Sequence, residues 1–232
     1  MKIQLLHGFL GVPGDWTAWQ ELLSAQGHEC LSVNLWSDLQ DHTASLADFA
    51  KEYVDKFLEE PAVLIGYSMG GRLALEVAKL APSKVTALVL FSTQFVSPVS
   101  FEERVVWQEN WVNRFLNEDW SLLLESWNAQ AVFSGSSDLP RVESDFDRAL
   151  LSETFMSWSI LKQDLSPECF PAVKTLWLSG ELDGRIKGSL KFISSKLPNV
   201  ETFVQSGAGH RFVFENHFET QEKVVQFLAD LS

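Results

Sequence analysis

Short apolar runs alternate along this chain with longer stretches whose apolar residues recur every three or four positions. The runs occupy residues 3–6, 30–35, 62–65, 87–91, 175–178 and 200–204. Most lack the in–out alternation of a half-exposed strand, so they read as parallel strands covered on both faces. Between them, residues 16–25, 45–58, 69–80, 188–196 and 220–231 carry helical periodicity. This alternation predicts an open parallel sheet with helices on both faces. Right-handed crossovers then give six strands in the spatial order 2-1-3-4-5-6. Residues 1–232 read as a single domain of this α/β type, without internal repeats or low-complexity segments.

One region breaks the rhythm. From about residue 97 to 171 no strand pattern occurs, and "FEERVVWQENWVNRFL", "DWSLLLESWNAQAVF" and "SETFMSWSILKQ" read as helices. Trp107, Trp111, Trp120, Trp127 and Trp158 all fall here, out of nine tryptophans in the chain. The segment is too long for an ordinary connection between strands. It is expected to cap the carboxyl edge of the sheet after the fourth strand, where open α/β sheets bind ligands. A helical layer packed only for stability is the plainer alternative.

Composition narrows the partners. A net charge of −13 argues against nucleic acid and anionic membranes, both of which need clustered Lys and Arg. A small anionic substrate would need arginines inside a cleft, working against the field of the whole molecule. Cys30 and Cys169 form no CxxC pattern and are expected to be small buried residues. The apolar N-terminal run meets His7-Gly8 too early for a signal-peptide core, and no run approaches a membrane span. A cytoplasmic protein with a small-molecule substrate is expected, needing no metal or cofactor; its oligomeric state is left open.

The sharpest local signal is "LIGYSMGGRL". Gly66-Tyr67-Ser68-Met69-Gly70 fits G-x-S-x-G between an apolar strand and a helix, the context in which that motif lifts a serine to the apex of a strained turn. The Met69 amide then opens a helix N-terminus, which favours negative charge. A serine hydroxyl needs a neighbouring base. Of the five histidines, His210 in "SGAGHRF" follows the last strand and emerges at the same sheet edge. His28, His42 and His217 lie in polar stretches and are expected to be solvated, and His7 to be a structural hydrogen-bonder. "LSGELDG" supplies an orienting carboxylate, with Asp183 better placed and Glu181 the alternative. The chain order Ser68, Asp183, His210 is that of the α/β-hydrolases. A second oxyanion donor is expected from "LLHGFLG", where the Phe9 amide would join that of Met69.

Together, "LLHGFLG", "GYSMGGRLAL", "LSGELD" and "GAGH" resemble the α/β-hydrolase superfamily across nearly the full length. Within it, the chain is similar to the 2-succinyl-6-hydroxy-2,4-cyclohexadiene-1-carboxylate synthases of menaquinone biosynthesis. The marks are Arg72 behind "SMGG", "EER" ending at Arg104, and "WVNRFL" followed by "SWNAQAVF". The resemblance implies elimination of pyruvate rather than ester hydrolysis. It also implies that Arg72, Arg104 and Trp127 help hold the substrate's carboxylates; Tyr67 is expected beside them in the substrate site. Three pocket-side stretches depart from the synthases: "CLSVNLWSDLQDHTAS" and "STQFVSPVS" lack their loop motifs, and "RALLSETFMSW" lacks their late cap arginine-plus-asparagine pattern. An esterase or thioesterase acting through an acyl-serine is therefore the alternative function, and a non-catalytic binder on the same fold the third.

Overall fold

Residues 1–39, 45–94, 100–164 and 166–231 are described by the structure, a computed structural model. His42, the first cap residues at position 97 and much of "STQFVSPVS" lie outside the described residues. Six strands, β1 (Lys2–Leu6), β2 (Glu29–Val33), β3 (Ala62–Tyr67), β4 (Val85–Phe91), β5 (Thr175–Gly180) and β6 (Val200–Gln205), pair in the order β2-β1-β3-β4-β5-β6. Every pairing is parallel, as the run pattern predicts.

Side-chain parity explains the layers. Successive strand residues point to opposite faces, and the three central strands are covered on both. Val63, Ile65, Val89 and Leu176 pack with Trp19 and Leu23 of α1 (Thr17–Ala25) and Phe227 of α8 (Phe218–Ala229). Leu64, Leu88, Leu90 and Trp177 face the other way, toward α2 (Leu46–Phe57), α3 (Met69–Leu80) and α7 (Gly184–Lys196). The edge strands β2 and β6 keep exposed positions. None of the described helices is long and apolar enough to cross a membrane.

Between β4 and β5 lie α4 (Phe101–Asn117), α5 (Trp120–Asn128) and α6 (Arg148–Ser157), with no strand among the described residues. Their ends are set by side-chain caps, and here the apolar pattern misplaces the boundaries. Ser100 and Glu103 close a capping box on α4. Asp147 accepts from the amides of Ala149 and Leu150, so α6 starts four residues before the expected "SETFMSW" segment. It stops at Ser157, and "ILK" forms a separate 3-10 turn capped by Ser159. Likewise "AQAVF" leaves the helix, because Gln130 is extended and Ala131–Phe133 turn as 3-10. The cysteines also differ from expectation. Cys30 is half-buried on edge strand β2, and Cys169 is exposed in a turn beginning at Pro167, where it donates to Asp164 at 3.1 Å.

The non-glycine residues Leu10, Ser68 and Ser92 have positive φ, at 55°, 52° and 46°. They follow β1, β3 and β4, so the strained backbone clusters at the carboxyl edge of the sheet. His7 organises the first of these loops. Its Nδ1 donates to the Gly8 carbonyl at 2.9 Å and its Nε2 accepts from the Leu35 amide at 3.1 Å, which defines a neutral ring. Complete burial pushes its pKa down to about 4. The unfolded chain therefore takes up the proton first as pH falls. This contribution to stability is fully present above about pH 6.5 and is lost toward pH 4, on the order of 3 kcal/mol. Chemical denaturation of wild type and His7→Gln across that window should give a steeper loss for wild type; parallel slopes would contradict a buried neutral imidazole.

Candidate active site

Ser68 sits between β3 and α3 with φ 52° and ψ −110°, and its amide donates to the Phe91 carbonyl of β4 at 2.8 Å. The glycines around it are required by close approach. A Cβ on Gly66 would lie 2.5 Å from the Gly71 backbone, and one on Gly70 would run into the carbonyl of Leu6. The helix thus presses against the strands with no side chain between them, and the serine takes the apex of the corner.

His210 and Asp183 reach that apex from the ends of β6 and β5. His210 Nε2 lies 3.1 Å from Ser68 Oγ, and Nδ1 donates to Asp183 Oδ2. That bond leaves the Nε2 lone pair facing the serine hydroxyl. Both side chains are almost fully buried, at 2% and 1% exposure, so the pair operates away from bulk water. Glu181 instead accepts from Ser206 Oγ and the Gly207 amide, at 2.9 and 3.0 Å; it is Asp183 that meets the imidazole. The backbone of His210 is held from below, because its carbonyl accepts from Ser92 Oγ at 2.7 Å. His28 and His217 are less exposed than their polar surroundings suggest. His28 is half-buried, as is His217, which contacts Glu215 at 3.0 Å.

Phe9 and Met69 line the cavity that contains Ser68. As the first residue of α3, Met69 has an N–H with no intrahelical acceptor. At Phe9 the peptide plane is locked, since the Gly8 carbonyl accepts from His7 and from the Gly11 amide. The planar trans peptide then points the Phe9 N–H the opposite way. Two donors of this kind can bear charge that develops on a carbonyl oxygen near Ser68.

The cavity is narrow, about 90 Å³, walled by Phe9, Trp107, Trp127, Phe133 and Phe155, and floored by Ser68 and His210. Arg72 and Arg104 also line it. Arg72 is only 9% exposed. Its guanidinium is pushed down to about 9 by burial and then by Arg104, with Glu76 pulling the other way, so it is cationic at neutral pH. Arg104 stacks over Trp107 at 4.2 Å. Trp127 packs on Phe9 and edge-on to Trp111. Tyr67 stands apart, in a second cavity of about 50 Å³ that also reaches Ser68, Phe9 and Trp127; its ring lies against His210 at 5.4 Å.

Two residues that brace the site from behind, Gln163 and Ser92, escaped the pattern of the chain. Gln163 accepts from Arg72 Nη1 at 3.3 Å and donates to the Arg72 carbonyl and to Glu76, both at 2.8 Å. No motif surrounds it. Ser92 carried a usable signal, a small polar residue directly behind an apolar strand, as Ser68 is behind β3. Among the described residues, no group of three or more His, Cys, Asp or Glu side chains is gathered to hold a metal ion.

The chain is similar to several known proteins. A 2-succinyl-6-hydroxy-2,4-cyclohexadiene-1-carboxylate synthase of Escherichia coli is 27% identical over 97% of this chain and 91% of its own length. A pimeloyl-[acyl-carrier protein] methyl ester esterase of Vibrio parahaemolyticus is 29% identical over 97% and 93%. The solved structure of MenH from S. aureus superposes with a TM-score of 0.85 at 21% identity, covering 100% of this chain and 94% of that one. The alpha/beta hydrolase family model matches residues 5–226, the sheet and the helical insertion together, and this chain is an enzyme of the α/β-hydrolase family.

Proposed function

We propose that this enzyme is a carbon–oxygen lyase that eliminates pyruvate, the reaction of the 2-succinyl-6-hydroxy-2,4-cyclohexadiene-1-carboxylate synthases. One observation carries the reading: two guanidinium groups, Arg72 and Arg104, line the aromatic cavity that holds Ser68. In a protein of charge −13, such a pair beside the reactive hydroxyl suits a substrate bearing carboxylates. Trp127 would pack on the substrate ring, and Tyr67 would brace His210 from the adjoining cavity.

Ser68 Oγ gives its proton to His210 Nε2 and takes one from the substrate carbon next to a carbonyl. Asp183 stabilises the imidazolium. The electron pair collects on the carbonyl oxygen, where the Phe9 and Met69 amides stabilise it. Its return forms the new carbon–carbon double bond and breaks the bond to the departing oxygen of pyruvate. That oxygen takes the proton held by His210, which restores the starting state.

A second reading is favoured by the esterase relative, 29% identical, and by the apolar walls. Ser68 would attack an acyl carbon, release an alcohol, and pass the acyl group to water.

Alanine at Ser68, His210 or Asp183 should lower turnover by about 10³-fold or more, and double variants should lose little further, because the three act as one unit. Circular dichroism should stay native; additive losses would contradict shared action. Arg72 separates the two readings. Arg72→Ala should reduce kcat/KM on the pyruvate-bearing polycarboxylate by roughly ten- to a hundredfold, and Arg72→Lys should recover part of it. Turnover of a neutral nitrophenyl ester should barely change in either. Equal losses on both substrates would make Arg72 a support of the corner and favour ester hydrolysis.

A further inference from the structure

Arg211, next in the chain to His210, is buried at 5% exposure and plays no part in the chemistry described above. The hydrogen bonds that its amide and guanidinium donate run to one stretch of the helical insertion. Its amide donates to Ser136 Oγ at 3.0 Å, and its Nη2 donates to Asn128 Oδ1 at 2.6 Å. Its Nη1 donates to the Ser137 carbonyl and to Asp138 Oδ1, both at 3.2 Å. The guanidinium also lies 3.8 Å from the centre of the Phe133 ring, which in turn meets the His210 ring edge-to-face at 5.7 Å.

The backbones are interlocked as well. A Cβ on Gly209 would strike Ser136 Oγ and come within 2.8 Å of the Gly135 backbone. The Ser137 amide donates to Glu215 Oε1 at 3.2 Å, closing the strap from the far side. His210 is therefore held on two sides: by Ser92 from the sheet, and by residues 128–138 of the insertion. A buried guanidinium with three hydrogen bonds and one ring contact is costly to leave unmatched, so these contacts are expected to form and break together.

We propose that Arg211 is a positioning residue that ties His210 to the insertion through Asn128 and residues 136–138. The imidazole is then set against Ser68 only while the strap is seated, which couples the state of the cap to the strength of the base. Small displacements of a general base cost about tenfold to a hundredfold in rate. This inference rests on reading Ser68 and His210 as the reacting pair.

The test is the rate at which a small fluorophosphonate labels Ser68 in the full-length protein, beside kcat and KM on a nitrophenyl ester. Arg211→Gln should slow labelling and kcat by about ten- to a hundredfold with KM within about threefold. Arg211→Lys should recover part of the loss, since it keeps the charge but not the fork. Asn128→Ala should slow labelling in the same direction, and the double variant should lose less than the product of the single effects. It also decides the matter if Arg211→Gln does not fold. Wild-type labelling rates in Arg211→Gln with only a lower melting temperature would overturn the proposal, as would multiplicative effects of the two substitutions. A wild type that takes no label at all, like Ser68→Ala, would fail the reading of Ser68 itself and this role with it.

Discussion

The backbone at Ser68 could not hold φ 52° and ψ −110° on its own account. For a residue with a Cβ, such a conformation costs on the order of 1–3 kcal/mol and persists only where its surroundings over-determine it. Here the surroundings are the contact of α3 with β1 and β3 through Gly66, Gly70 and Gly71, and the bond from the Ser68 amide to Phe91. Everything else at the carboxyl edge is arranged about that fixed point. The Met69 amide is oriented by it, and Arg72 occupies the next turn of the same helix. The imidazole of His210 approaches from a strand three places away in the sheet.

A second level of organisation comes from the aromatic lining. Phe9, Phe115, Trp127 and Phe155 meet one another at centroid distances between 4.8 and 6.1 Å. Phe9 comes from the first strand's loop and the other three from the insertion, so this cluster joins sheet and cap through apolar contact. Phe9, Trp127 and Phe155 also wall the cavity that Arg72 and Arg104 line, a medium of low polarisability where each charge–dipole interaction counts for more than in water.

Much of this architecture was legible in the chain because its signals are local or periodic. Unbroken apolar runs marked the central strands, and glycine spacing marked the corner at Ser68. His210 and Asp183 could be placed at that edge because each lies in the loop that follows a strand. Other features depend on partners distant in sequence. The start of α6 depends on Asp147 rather than on apolar spacing. Gln163 meets Arg72 across 91 residues, and Arg211 meets Asn128 across 83. Cys169 has the residue type of a core position, but it lies exposed at the end of the 3-10 turn that begins at Pro167.

The two cationic side chains of the cavity are enclosed by a molecule of net charge −13. Electrostatics therefore has one sign at long range and the other at contact. An anion approaching from solution meets the net repulsion mainly within a screening length of the surface, roughly 10 Å at 0.1 M salt, and would be attracted by the arginines only once inside the cavity. Ionic strength damps the first force far more than the second. For an anionic ligand of the kind proposed, capture would thus quicken as salt is added, the reverse of electrostatic steering. An exterior of that charge would slow highly charged bystanders, while an anion matched to the arginines of the cavity would be held once inside.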